Sequence, residues 1–430
     1  MSPIDVVRAH LDAAESLGNQ LNAMTTILRD SAHKAALAAD ERYRLRFWRS
    51  PLDGIPWTIK DLFHVAGTVT GCGSKAYPPV PQTEDAVVVH QLRDLGAILI
   101  GKTNLLEFAL GLVHPAVGAA RNPWNVDYTI GGSSSGSAAA VAAGIGLISV
   151  GTDTGGSVRN PAALGGVVGF KPSYGRLPVE GMVPLSPTLD HVGLLGPTVD
   201  DVAITFAGLT RAEKPLAHHR WRIATADPGH TTDSVRQVVD GLIGSLAPSA
   251  SWDQPVAFDW SLANAVALTI IMAEASAVHT DGLRERWEGY GPGTRARLRA
   301  GEQITVADYL RARQIRRTLQ QRWSEVTEDL DFVLLPTLPT AAAGPEGMPG
   351  GEALANATLY TSVFALLGVP ALSVPAGLTS DGMPAGLQII GRPGCDTEVL
   401  AFGRWVEEVR GLLPDPPHHI TVAGHNRMVP

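Results

Sequence analysis

The chain has 430 residues, 45% of them hydrophobic and 18% charged, enough apolar material for a large buried core in one or two domains and the composition of a compact globular protein. A formal net charge of −8 speaks against direct binding to nucleic acid or to an anionic membrane. The two cysteines, Cys72 and Cys395, lack the spacing of a zinc site and read as free thiols of a reducing compartment.

Met1–His10 shows no basic segment followed by an apolar stretch and a cleavage site, so the cytoplasm is the expected location. Ser2-Pro3-Ile4-Asp5 instead has the grammar of a helix start, with a capping serine, a first-turn proline and an early carboxylate. A second, alanine-rich helix is expected over Ser31–Tyr43. From Leu52 to Pro197 short β-rich runs alternate with glycine and serine clusters; Ile55–Ile59, Ala97–Ile100, Leu147–Thr152 and Val167–Phe170 read as buried strands. Ala138–Val150, the most apolar stretch, is short for a bilayer span and is interrupted by Gly144, Gly146 and Ser149.

The stretch from about 214 to 329 carries long helical patterns, Leu262–His279 and Val306–Val326, and is expected to be a helical cover. Strand character returns at Asp331–Pro336, Ala371–Val374 and Leu387–Ile390, so residues 52–197 and 331–412 are expected to share one core within a single domain spanning 1–430. Pro339–Gly351 reads as a loop and Pro414–Pro430 as a draped tail. Strands interleaved with helices place the chain in the α/β class.

The chemistry concentrates in Gly131-Gly132-Ser133-Ser134-Ser135-Gly136-Ser137 and Gly151-Thr152-Asp153-Thr154-Gly155-Gly156-Ser157. Glycines let successive N–H groups converge on one oxygen, and a serine beside them supplies the hydroxyl that acyl transfer requires. Serine needs a base, and neither segment contains a histidine. Lys60 ends the apolar run Gly54-Ile55-Pro56-Trp57-Thr58-Ile59, where desolvation would disfavour its ammonium form. A phosphate-binding loop would need lysine after the last glycine, which is missing. Asp190 and His191 are adjacent in sequence, so their side chains point apart and make an awkward Ser-His-Asp triad. His218-His219 and His418-His419 lack any further metal ligand.

Gly54-Ile55-Pro56 with Lys60-Asp61, the two glycine-serine runs, Lys102-Thr103-Asn104, Arg121-Asn122-Pro123-Trp124, Gly169-Phe170-Lys171-Pro172, Leu189-Asp190-His191-Val192-Gly193 and Gly368-Val369-Pro370 through Gly391 together resemble the amidase signature family over nearly the whole chain. That resemblance implies an α/β/α sandwich around a large mixed β-sheet and a Ser-cisSer-Lys triad mapping onto Ser157, Ser133 and Lys60. It further implies an oxyanion hole from the backbone of Thr154, Gly155, Gly156 and Ser157, with Ser134 and Asp153 in support. Cys72, Ile130, Gly131, Gly132 and Arg159 are expected near the substrate, although Cys72 reads more readily as a packed core residue and Arg159 equally as half of a buried salt bridge. The activity implied is hydrolysis of a small-molecule carboxamide without cofactor or metal, extending to esters, anilides or carbamates. The alternatives are the glutamine amidotransferase component that feeds ammonia to a tRNA-charging partner, and a silent binding protein of the same fold. A homodimer stays open.

Two features bear on the substrate. Ser135 stands where many members have glycine, and Leu110–Gly118 is apolar apart from His114, which favours a less polar substrate than glutamine. Variable loops, here Gly111–Gly118 and Glu180–Pro187, are expected to shape the pockets.

Overall fold

The computed structural model describes residues 2–110, 112–212, 221–344 and 358–419. Gly111, the opening residues of the 214–329 cover, the later part of the Pro339–Gly351 loop and the end of the Pro414–Pro430 tail lie outside the described residues.

Among the described residues the strands form one eleven-stranded sheet: β1 (Met24–Ile27), β2 (Pro56–Lys60), β3 (Ile98–Thr103), β4 (Ile148–Asp153), β5 (Val168–Lys171), β6 (His191–Gly196), β7 (Arg222–Thr225), β8 (Ser251–Trp252), β9 (Phe332–Pro336), β10 (Ala371–Leu378) and β11 (Pro384–Gly391). Their spatial order is β1-β3-β2-β4-β6-β5-β10-β11-β9-β7-β8. The sheet is mixed: β2 runs parallel to β3 and β4, whereas β6, β5, β10, β11 and β9 pair antiparallel in succession. The two outer parts of the chain meet where β5 pairs with β10.

Both faces of the sheet are covered, and the period-two alternation of a strand sorts the side chains between them. Along β3, Ile98 and Ile100 join an apolar cluster with the helices Pro3–Gln20, Arg29–Arg44 and Ser135–Ala142, while Leu99 joins the larger cluster on the opposite face. That larger cluster contains Trp57, Phe170, Phe206, Phe332 and Phe402, all essentially inaccessible, and burying each such side chain contributes roughly 1.5–3 kcal/mol. The first helix starts as its sequence indicates, with the Ser2 side chain accepting from Asp5 N and Pro3 in the first turn.

The helical cover is present, but it is not purely helical. It contains β7 and β8, which extend the sheet edge beyond β9. Its long helices are Trp260–Val278 and Val306–Val326, the second opened by a capping box between Thr305 and Asp308. Trp260–Val278 is the one helix among the described residues long and apolar enough to cross a membrane, yet its Ala263, Ala267, Ile270 and Ala275 are buried in the larger core.

Candidate active site

Parallel pairing of β2 and β4, with Ile59 opposite Val150, brings the carboxyl ends of the two strands side by side. Lys60 ends one of them and Asp153 the other. Lys60 is wholly buried, and its Nζ donates to Ser133 Oγ at 2.7 Å and to Thr152 Oγ1 at 2.6 Å. Burial pushes this amine down to about 7, against the opposing pull of Asp153, Asp190 and Cys72.

Ser133 follows a cis peptide bond from Gly132, and its carbonyl accepts from Leu106 N at 3.1 Å. Ser134 stitches the serine segment to the second glycine run. Its N–H donates to Ser157 O at 3.0 Å, and its hydroxyl donates to Thr152 O at 3.1 Å while accepting from Thr152 N at 3.3 Å. Gly151 is required beside it, since a Cβ there would sit 2.8 Å from Ser134 Oγ. Ser157 is half-buried, and its hydroxyl has no hydrogen-bond partner among the described residues.

The turn between β4 and Ser157 is fixed by side chains from distant parts of the chain. Asp153 accepts Gly156 N at 2.9 Å and Val158 N at 3.2 Å, and pairs with Arg159 through Nε at 2.9 Å and Nη2 at 2.7 Å. Burial alone would push the Asp153 carboxyl up, but the charge and hydrogen bonds of Arg159, with Lys171 and His191 nearby, hold it well below the usual carboxylate range. Arg159 Nη1 continues to Gln388 Oε1 at 2.7 Å, and Thr361 Oγ1 donates to Gly155 O at 2.7 Å. Gly156 has φ +120°, a conformation that glycine permits.

Several expectations are corrected by this geometry. Arg159 cannot hold a substrate carboxylate, because it is fully buried and engaged with Asp153 and Gln388, so its salt-bridge reading is the one found. Cys72 is also fully buried, with φ +53° and a thiol pushed well above its ordinary range by burial, and it does not open onto substrate. The Ile130 side chain packs into the core around Ala138 and Ala162, whereas Gly131 and Gly132 remain partly accessible. Of the four N–H groups expected to receive an oxyanion, that of Gly156 is committed to Asp153. The N–H groups of Thr154, Gly155 and Ser157 have no acceptor among the described residues.

Asp190 and His191 do not form a triad. Asp190 accepts Thr154 Oγ1 at 2.7 Å, and His191 Nδ1 lies against Leu189 O at 2.6 Å. Thr152 and Thr361 escaped sequence reasoning; for Thr152 the signal lay in its place one residue before Asp153, on the strand that flanks Lys60. A Cβ on Gly155 would lie 3.6 Å from Ile271 Cδ1, and one on Gly132 would lie 2.5 Å from Leu106 Cδ1, so aliphatic side chains flank both glycine runs. Among the described residues no group of three or more His, Cys, Asp or Glu side chains is arranged to hold a metal ion.

A lysine with a depressed pKa, two serines and a turn with free N–H groups can together deprotonate a hydroxyl, attack a carbonyl and receive the charge that develops. A profile of the amidase family matches residues 5–237 and 247–400. A glutamyl-tRNA(Gln) amidotransferase subunit from Gluconobacter oxydans is 32% identical, the match covering 98% of this chain and 96% of the relative. A solved amidase is 38% identical with a TM-score of 0.88, covering 95% of this chain and 96% of the other. The solved glutamyl-tRNA(Gln) amidotransferase subunit from Thermotoga maritima is 30% identical with a TM-score of 0.74, covering 87% of both chains.

Proposed function

Since the chain belongs to the amidase signature family, we propose that it hydrolyses the C–N bond of a small carboxamide through an acyl-enzyme on Ser157. Neutral Lys60 takes the proton of Ser133, which takes that of Ser157 as Ser157 Oγ attacks the carbonyl carbon. The N–H groups of Thr154, Gly155 and Ser157 are placed to receive the oxyanion, while that of Gly156 is held by Asp153. Ser133 then protonates the leaving nitrogen, and water activated by the same relay releases the acid. The carrying observation is the 2.7 Å contact between a wholly buried lysine and Ser133 Oγ. Leu106 and Ile271 beside the glycine runs favour an aliphatic or aryl acyl group.

A second reading has its own support. The curated relatives at 32–33% identity, matched over nearly the whole chain, are glutamyl-tRNA(Gln) amidotransferase subunits, for which the amide would be glutamine and the protein would act within a complex. The curated relatives thus back this second reading better than the first, while the solved amidase at 38% identity keeps hydrolysis of simple amides within the family's range.

The test is turnover of a panel of aliphatic amides, aryl amides, anilides and glutamine by the isolated chain and by Ser157→Ala. Hydrolysis of simple amides that disappears in Ser157→Ala is the expected result. Glutamine-dependent ammonia release that needs the other amidotransferase components would establish the second reading, and equal turnover by Ser157→Ala would refute both.

A further inference from the structure

A chain of buried polar contacts leads from the helical cover to the oxyanion turn. Its first node is Glu274 on the helix Trp260–Val278, which accepts Tyr309 Oη and Thr188 Oγ1 at 2.7 Å each, Thr188 N at 3.0 Å and Ser186 Oγ at 2.6 Å. Tyr309 lies on the second cover helix, where Arg313 Nη1 donates to its hydroxyl at 2.9 Å. Ser186 passes the connection on, because its N–H donates to Asp190 at 3.1 Å while its hydroxyl serves Glu274. Asp190 also accepts Leu185 N at 2.9 Å and ends on Thr154 Oγ1 at 2.7 Å.

Two carboxylates bridged by one serine and largely withdrawn from water are costly to keep unless their donors are held in place. Here Tyr309 and Arg313 hold Glu274 from within the cover, and the remaining contacts serve segment 185–190 or the first residue of the turn that presents Gly155 and Ser157 N–H. We infer that Glu274 and Asp190 are positioning residues, a strap through which the helical cover holds Thr154 and so aims the turn's N–H groups at the developing oxyanion. The inference rests on the amide-hydrolysis reading above.

Asp190 is also close to the base: Lys60 Nζ binds Thr152 Oγ1 at 2.6 Å, and two residues on, Thr154 Oγ1 binds Asp190 at 2.7 Å. The groups facing Lys60 are Asp153 from β4, Asp190 from the segment before β6, and Cys72 from the loop after β2. Asp190 in turn faces Glu274, while His191 beside it faces Asp153, Lys171 and Arg159. A negative Asp190 favours the ammonium form of Lys60, so removing that charge makes the base available at lower pH.

The experiment compares wild type with Glu274→Ala, Glu274→Gln and Asp190→Asn on one amide that the enzyme turns over, across about pH 5 to 10. Glu274→Ala is expected to lower kcat about tenfold or more with KM within about threefold, because the lost aim is felt in the transition state. Glu274→Gln recovers most of kcat, since its amide oxygen still accepts Ser186 and Thr188 while its NH2 donates to Thr188 Oγ1 and Tyr309 Oη. Asp190→Asn lowers kcat and moves the acid limb of kcat/KM to lower pH. An unchanged kcat in folded Glu274→Ala, or an acid limb that stays put or rises in Asp190→Asn, overturns the strap. Should Glu274→Ala not fold, Asp190→Asn decides alone by its limb. Retained activity in Ser157→Ala is the separate signature that the amide-hydrolysis reading itself has failed.

Discussion

Replacing Lys60 by methionine keeps an unbranched chain of similar length and removes the amine. Burial brings that amine from an ordinary 10.5 down to about 7. At about 1.4 kcal/mol for each pH unit, the gap puts the cost of holding the ammonium in this site at about 5 kcal/mol, an order-of-magnitude figure for a fully buried group. The sign follows from proton counting. Below pH 7 both folded and unfolded wild type carry the proton, and the folded state bears the whole cost. Between 7 and 10.5 the unfolded chain binds a proton that the folded one does not, so wild-type stability rises with pH and the cost fades. This contribution therefore favours Lys60→Met in full below about pH 7, shrinks above it and vanishes near 10.5. The variant also loses the donor to Ser133 and Thr152, a pH-independent loss of about 1–3 kcal/mol, so the slope of the difference carries the information. Lys171, likewise brought to about 7 by burial, is common to both proteins and cancels. Urea unfolding of the two proteins at about pH 6, 8 and 10 measures the difference. A gap that does not change with pH would mean a cationic Lys60 in the folded chain, and the base would have to be sought elsewhere.

Asp153→Asn strips the fully buried Arg159 of its counter-charge and should lower stability by about 3–5 kcal/mol, read as a fall in Tm. Because the Asp153 carboxyl sits well below its ordinary 3.8, the stability it contributes is present above that value and is lost only as pH falls through its folded value. Gly156→Ala would place a Cβ 2.2 Å from Thr361 Oγ1 at φ +120°, so the turn must distort; kcat should fall about a hundredfold or more with the protein still soluble.

Much of the site was legible because its signals are local. An apolar run ending in Lys60, and glycines crowded before Ser157, announce a desolvated amine and a turn rich in free N–H groups. The bracing was not legible, because it is made by residues far apart in the chain: Lys60 meets Thr152 across 92 positions, and Arg159 meets Gln388 across 229. Arg159 and Cys72 show the limit most plainly, since proximity in sequence to Ser157 or to glycines says nothing about which way a side chain turns. In the fold, β6 was missed because Gly193 and Gly196 interrupt the apolar pattern of a fully buried strand. The short β7 and β8 were hidden within a helical stretch, where four and two residues are too few to establish alternation.

The brace on the turn before Ser157 bears on how the chain folds as it is made. Lys60, Ser133 and Ser157 all emerge from the ribosome early, but the partners that close the turn, Thr361 and Gln388, come from the last part of the chain. Until those residues arrive, Arg159 has only part of its hydrogen bonding and Gly155 lacks its outer clamp. A nascent chain can thus carry Lys60, Ser133 and Ser157 and still lack both outer clamps on the turn until Thr361 and Gln388 have docked.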